Sequence, residues 1–184
     1  MAVTIQSDPS LVGYNCFCTL AEATDYHASR LHNESWTNAS STDKSMALVW
    51  ATRNLSILEW KGARTSGTQL LAFPRVGLSY AEDGTALSSE VYDGGLGYYT
   101  IITVPSTVPP TEIKNATAEM ALWLIASDKT AESDLAGFKR LKVDTIEIEP
   151  LAKDRPDWFV EPVRNLCKKF LKNSSKYNAP VVRV

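Results

Sequence analysis

The chain has 184 residues, 44% of them hydrophobic and 22% charged, with a formal net charge of −2. That is enough for one domain with a buried core, and the balance is ordinary for a globular protein rather than for a disordered or strongly basic one. No apolar run approaches the roughly 18 residues that cross a bilayer. The N-terminus lacks a basic segment followed by an apolar one, so the expectation is a cytosolic chain with no membrane partner.

Residues 1–18 read as an extended N-terminal arm. Thr19-Leu20-Ala21-Glu22 is a capping box, in which hydroxyl and carboxylate each satisfy an orphan backbone N–H. A helix is expected to follow to about Leu31, with Leu20, Ala23, His27 and Leu31 near one face. Residues 33–42 are polar apart from Trp36 and Ala39, which is loop composition. A second helix is expected from about Asp43 to Leu58. Its alanines Ala47 and Ala51 allow close helix approach, Leu55 and Leu58 extend the apolar stripe, and Trp50 and Trp60 flank it. Gly62 is expected to end that helix as a C-terminal glycine. Residues 69–71 read as a loop or short turn, and Pro74 forbids a helix through Phe73.

Residues 78–110 form the least regular stretch. Turn signals stand at Glu82-Asp83-Gly84 and Asp93-Gly94-Gly95, and a strong β-forming run occupies 98–104. A loop this long is expected to be functional or ordered by a partner, with Tyr92, Leu96, Tyr98 and Tyr99 as its candidate contacts.

Pro109-Pro110-Thr111 opens the clearest helix, to about Ser127. Ile113, Ala116, Thr117, Met120, Ala121, Leu124 and Ile125 hold helical spacing, and Ala118 and Leu122 widen the apolar face, which argues a central position. Residues 128–137 are a polar connection. Residues 139–149 alternate charged and apolar side chains around Asp144-Thr145, the pattern of a β-hairpin. Pro162 suits the first turn of a last helix with Val163, Leu166, Phe170 and Leu171 on its face. Residues 173–175 should stop it, and 180–184 read as an extended tail. The fold class expected is mainly α: a single domain built as a small bundle of three to four amphipathic helices. It carries a β-hairpin, a long irregular loop and extended N- and C-terminal arms, with its core in 19–150 and a C-terminal helix and tail in 151–184.

Charge is unevenly placed. After Glu161 there is no acid, while Arg164, Lys168, Lys169, Lys172, Lys176 and Arg183 supply six cations. A basic tail on an acidic body suits docking onto an acidic partner or a polyanion, the other reading being a solvated helix face and a disordered terminus.

Little in the chain suggests catalysis. There is no nucleophile elbow, phosphate-binding loop or dinucleotide fingerprint. Acids are scattered, without a cluster suited to a metal. His27 and His32 diverge on a helix at i, i+5, so they are expected at the surface or a cap rather than as a metal pair. Cys16, Cys18 and Cys167 lack redox or zinc spacing and are expected to be buried, reduced thiols. No enzyme activity and no cofactor are expected. Trp60, Lys61, Arg64 and Arg75 combine an aromatic with cations as single-strand binders do. Core packing of Trp60 with solvated cationic neighbours is the competing reading.

The order and spacing of several short segments carry a resemblance. Tyr14 precedes a capped helix, then come Ala51-Thr52-Arg53-Asn54-Leu55, Trp60-Lys61-Gly62, Gln69, Pro74-Arg75-Val76-Gly77 and residues 113–121. Together, over roughly residues 12–150, they resemble phage proteins labelled DnaT-like single-stranded-DNA-binding, which look like head–tail adaptors or head-completion proteins of tailed phages. Two departures are the length of 85–108 and Asp144, where the family tends to have glycine. The resemblance implies a virion protein made in the host bacterial cytoplasm. It would form a twelve-fold ring of copies of itself beneath the portal protein, pass genomic double-stranded DNA through its lumen and receive a tail tube or nozzle protein. The six C-terminal cations would then dock on the portal, and the 85–108 loop would touch the tail or a neighbouring subunit. The family label implies the alternative, a single-stranded-DNA-binding module using Lys61, Arg64 and Arg75.

Overall fold

The computed structural model describes residues 3–81, 101–126, 141–143, 146–148 and 160–172. Among these the chain is mainly α, with five α-helices and three short antiparallel strand pairs. Helix α1 (Leu20–Ala28) begins at the capping box: Glu22 N–H donates to Thr19 Oγ1 at 3.0 Å, and Thr19 N–H to Glu22 Oε2 at 2.7 Å. It stops three residues short of Leu31, where Ser29 caps it. Helix α2 (Glu34–Asn38) lies in the stretch expected to be loop. Five residues have little intrinsic helicity, and Trp36 holds this turn by burying its ring against His27 at 4.6 Å between centroids.

Helix α3 (Ser41–Ser56) starts from Ser40, whose hydroxyl accepts from Asp43 N–H at 3.1 Å. It ends six residues before Gly62, so that glycine is not its cap. Gly62 has φ +68 and lies where a Cβ would collide with the Val76 carbonyl oxygen. It is needed for the close approach of β1 (Ala63–Arg64) and β2 (Arg75–Val76), which pair antiparallel as Ala63↔Val76 and Arg64↔Arg75. β3 (Ser79–Ala81) and β4 (Ile101–Thr103) also pair, so both ends of the stretch expected to be irregular are ordered. Val104 N–H donates to the Leu78 carbonyl at 3.0 Å and continues that pairing.

Helix α4 (Thr111–Ala126) is central, as its wide apolar face implies: α1, α2, α3 and α5 all pack on it. Ala116, Ala118 and Ala121 are buried in α4, as are Ala47 and Ala51 in α3, and these small side chains let the axes come close. Strands β5 (Leu141–Val143) and β6 (Ile146–Ile148) form the expected hairpin in the register Leu141↔Ile148. Helix α5 (Glu161–Cys167) has Pro162 in its first turn and runs on into a 3₁₀ turn at Lys168–Phe170.

The N-terminal segment does more than extend. Asn15 N–H donates to the Gln6 carbonyl at 2.9 Å and Gln6 N–H to Asn15 Oδ1 at 2.9 Å, which closes a loop. Cys16, Phe17 and Cys18 then enter the core. Phe17 N–H donates to Thr52 Oγ1 of α3 at 3.3 Å. Phe17 and Trp60 each meet the Phe73 ring edge-on, at 5.7 and 4.9 Å, and Phe170 lies 6.4 Å from Phe73. This aromatic group joins the first segment, the Phe-Pro-Arg corner and the C-terminal helix into one core.

Candidate functional site

The first candidate, the cations around Trp60, is taken apart by the fold. Arg75 projects from β2 into the turn after Trp60 and is buried. Its guanidinium donates to the Lys61, Gly62 and Ala72 carbonyls at 2.6, 2.7 and 3.0 Å, and to that of Trp60 at 3.4 Å. The planar fork of arginine suits four converging carbonyls. Burial, and next the nearby Arg64, lower its pKa, yet arginine stays charged at any ordinary pH. Arg75 is therefore committed to the corner, and its expected role as a nucleic-acid contact is corrected. Trp60 is likewise internal, its indole N–H donating to the Leu55 carbonyl at 2.9 Å. Gln69 braces the same corner, donating to the Leu71 and Pro74 carbonyls at 2.9 Å each.

Lys61 and Arg64 remain at the surface, and there the fold adds something. Trp60 and Leu171 face each other in an antiparallel bridge, with Lys61 N–H donating to the Phe170 carbonyl at 2.8 Å and Lys172 N–H to that of Glu59 at 2.9 Å. Two groups of cations far apart in sequence thus share one ridge: Lys61 lies beside Lys169 and Lys172, its ammonium 3.4 Å from the Lys169 carbonyl. Burial lowers the Lys61 pKa. Lys169 is ion-paired with Glu112 and Arg164 with Glu161. Lys168 and Lys172 are exposed, with no ion pair among the described residues. Of the other expected contacts, Lys176, Arg183, Tyr92, Leu96, Tyr98 and Tyr99 lie outside the described residues.

A second polar cluster was missed by sequence reasoning. His27, expected at the surface or a cap, is fully buried where α1 meets α2 and α4, with Nε2 3.1 Å from the Ala118 carbonyl. Desolvation holds its pKa below the usual value. Beside it the Glu119 carboxylate, 3% exposed, accepts from Tyr26 Oη at 2.9 Å and Arg30 Nε at 2.8 Å. Burial, then Glu119, push the Tyr26 hydroxyl up to about 12. The available signal was a glutamate inside the apolar face of α4, between Ala116 and Met120. Among the described residues no set of three or more His, Cys, Asp or Glu is arranged to hold a metal ion. The three cysteines are free and buried. Cys18 is pushed up by its hydrogen bond with Cys16 and then by burial, and Cys167 by burial alone.

Several large apolar side chains face solvent among the described residues. On the outer side of α3, Met46, Trp50 and Ile57 are exposed by 43, 37 and 74%. Their spacing puts them in one stripe with Asp43 and Arg53. Leu11, Val12, Leu31 and Leu70 are also exposed.

Residues 1–91 match the family model described as "Putative DnaT-like ssDNA binding protein". The match takes in the arm, α1 to α3 and the Phe-Pro-Arg corner, just under half of the chain. No curated protein and no solved structure matches. The matched half thus contains Lys61 and Arg64, whereas Arg164, Lys168, Lys169 and Lys172 fall beyond it. No helix among the described residues is long and apolar enough to cross a membrane.

Proposed function

We propose that this chain is a structural assembly subunit, a head–tail adaptor of tailed phages. Copies of it would form a ring beneath the portal protein, carry the genomic DNA channel onward and receive the tail. The observation that carries this reading is the outward apolar surface: large side chains stand in solvent on α3, on the N-terminal loop and around the corner. Exposed apolar side chains that line up in a stripe, as on α3, mark surfaces that other proteins cover. The order of short segments, which resembles that of adaptor-like phage proteins, agrees with this reading. Lys168 and Lys172, with the cations that follow them in sequence, would meet an acidic portal surface. On this reading the chain is made in the host cytoplasm, ends in the virion, and needs neither catalytic residue nor cofactor. Imaging of the purified chain mixed with portal rings of the same phage tests it: added density beneath the portal is expected, and bare portals overturn it.

A second reading, single-stranded-DNA binding, is favoured by the description of the family model that matches residues 1–91. Its geometric support is the ridge on which Lys61 lies beside Lys172, with Arg64 and Lys168 exposed as well. Against it, Trp36, Trp60, Phe73 and Phe170 are all buried, so none of these rings is open for bases to stack on. Binding to a fluorescent oligonucleotide decides: micromolar affinity that falls steeply with salt and is lost on charge reversal at Lys61 and Lys172 would favour it. Absence of binding at low salt would remove it.

A further inference from the structure

The apolar stripe on α3 carries its own charge pattern. Asp43 lies in the first turn and Arg53 in the last, both exposed, with Met46 and Trp50 between them. We infer that this face is the twofold interface of a dimer, in which the α3 helices of two copies of the chain pack antiparallel.

An antiparallel pair centred level with residue 48 sets Asp43 of one copy opposite Arg53 of the other, and Met46 opposite Trp50. The twofold axis makes each of these contacts twice, which is the self-complementarity that an isologous interface requires. Ile57, the exposed cap residue just past α3, continues the apolar stripe at the edge of this interface. The charges are complementary only in this antiparallel sense: a parallel pair in register would set Asp43 on Asp43 and Arg53 on Arg53. Antiparallel packing also sets the positive N-terminal end of each α3 near the negative C-terminal end of the other. Met and Trp are side chains favoured at the centre of interfaces, and charges suit the rim. One helix face is a small interface, so the dimer belongs to the weak, reversible class. The inference does not rest on the phage reading: it concerns the free chain, whereas that reading is decided on portal rings.

Sedimentation equilibrium of the full chain over a wide concentration range tests it. The expected result is a monomer–dimer equilibrium in the micromolar range. Trp50→Glu should weaken it at least about tenfold, as for a central interface residue. Asp43→Arg and Arg53→Asp should each weaken it about fivefold or more by placing like charges together. Mixing the two reversed chains should restore association, because arginine at 43 then meets aspartate at 53 and the second pair stays native. Both positions are exposed, but Asp43→Arg loses the hydrogen bond from Ser40 Oγ and each reversal opposes the helix dipole. Each variant should therefore melt slightly below the parent while staying folded at the temperature of the measurement. A chain that is monomeric at every concentration, its stripe covered from within or bare, overturns the inference. So does a dimer indifferent to Trp50→Glu, or reversed chains that do not recover on mixing.

Discussion

Arg75 donates a 2.7 Å hydrogen bond to the carbonyl of Gly62, the residue whose missing side chain lets β2 lie that close. The two depend on each other: the guanidinium needs the carbonyls of 60–62 turned inward, and the turn needs a cation to satisfy them. Arg75→Lys should therefore destabilise the chain by about 3 kcal/mol, since an ammonium cannot reach four divergent acceptors and buried carbonyls are left unpaired. The midpoint of urea unfolding measures this. A lysine variant as stable as the parent would mean the fork is not what holds the corner.

Gly62→Ala should cost at least about 2 kcal/mol. The positive φ alone is strained for alanine, and the new methyl runs into the Val76 carbonyl oxygen, which is backbone and cannot swing aside. Gly13 is a useful contrast, with φ +92 but open space where a methyl would stand, so Gly13→Ala should cost less. Thermal melting of the two variants side by side checks the difference.

What could be read in the sequence was what short-range physics decides. The Thr19–Glu22 box, the apolar spacing of 113–125, the hairpin at 141–148 and Pro162 in the first turn of α5 all follow from neighbours within a few positions. The misses depend on distant partners. Trp36 makes a helix of a polar stretch because His27 is there to cover it. Gly62 resembles a helix cap locally, but the fold uses it for the approach of Val76. Arg75 beside a proline looks like a surface cation, and only the closed corner reveals the carbonyls around it. The candidate site was legible as a list of cations and not as a place. The pairing that lays Lys61 beside Phe170 joins residues more than a hundred positions apart.

Thr52 ties the N-terminal segment to α3, since its hydroxyl accepts from Phe17 N–H at 3.3 Å while donating to the Leu48 carbonyl at 2.9 Å. Thr52→Val keeps the shape but leaves the buried Phe17 N–H without its acceptor, at a cost of about 1–3 kcal/mol. Hydrogen exchange at the Phe17 amide should rise more than exchange in α4. A uniform rise across both would point to global loss of stability rather than to this link.

His27 gives the chain a pH dependence whose sign follows from its burial. The folded state holds its pKa below the unfolded value of about 6.5, mainly by desolvation, with Arg30 adding to the effect and Glu119 and the Ala118 carbonyl opposing it. Below pH 6.5 the unfolded chain therefore takes up a proton that the folded chain resists. Stability contributed by the neutral imidazole is fully present above about pH 6.5 and is lost as pH falls from there to the folded pKa. Urea midpoints should accordingly decline between about pH 7 and pH 5.5, before carboxylates with depressed pKa such as Glu22 begin to matter. His27→Gln should flatten that stretch of the curve whatever it does to stability at pH 7. A decline of the same size in the variant would assign the titration to another group.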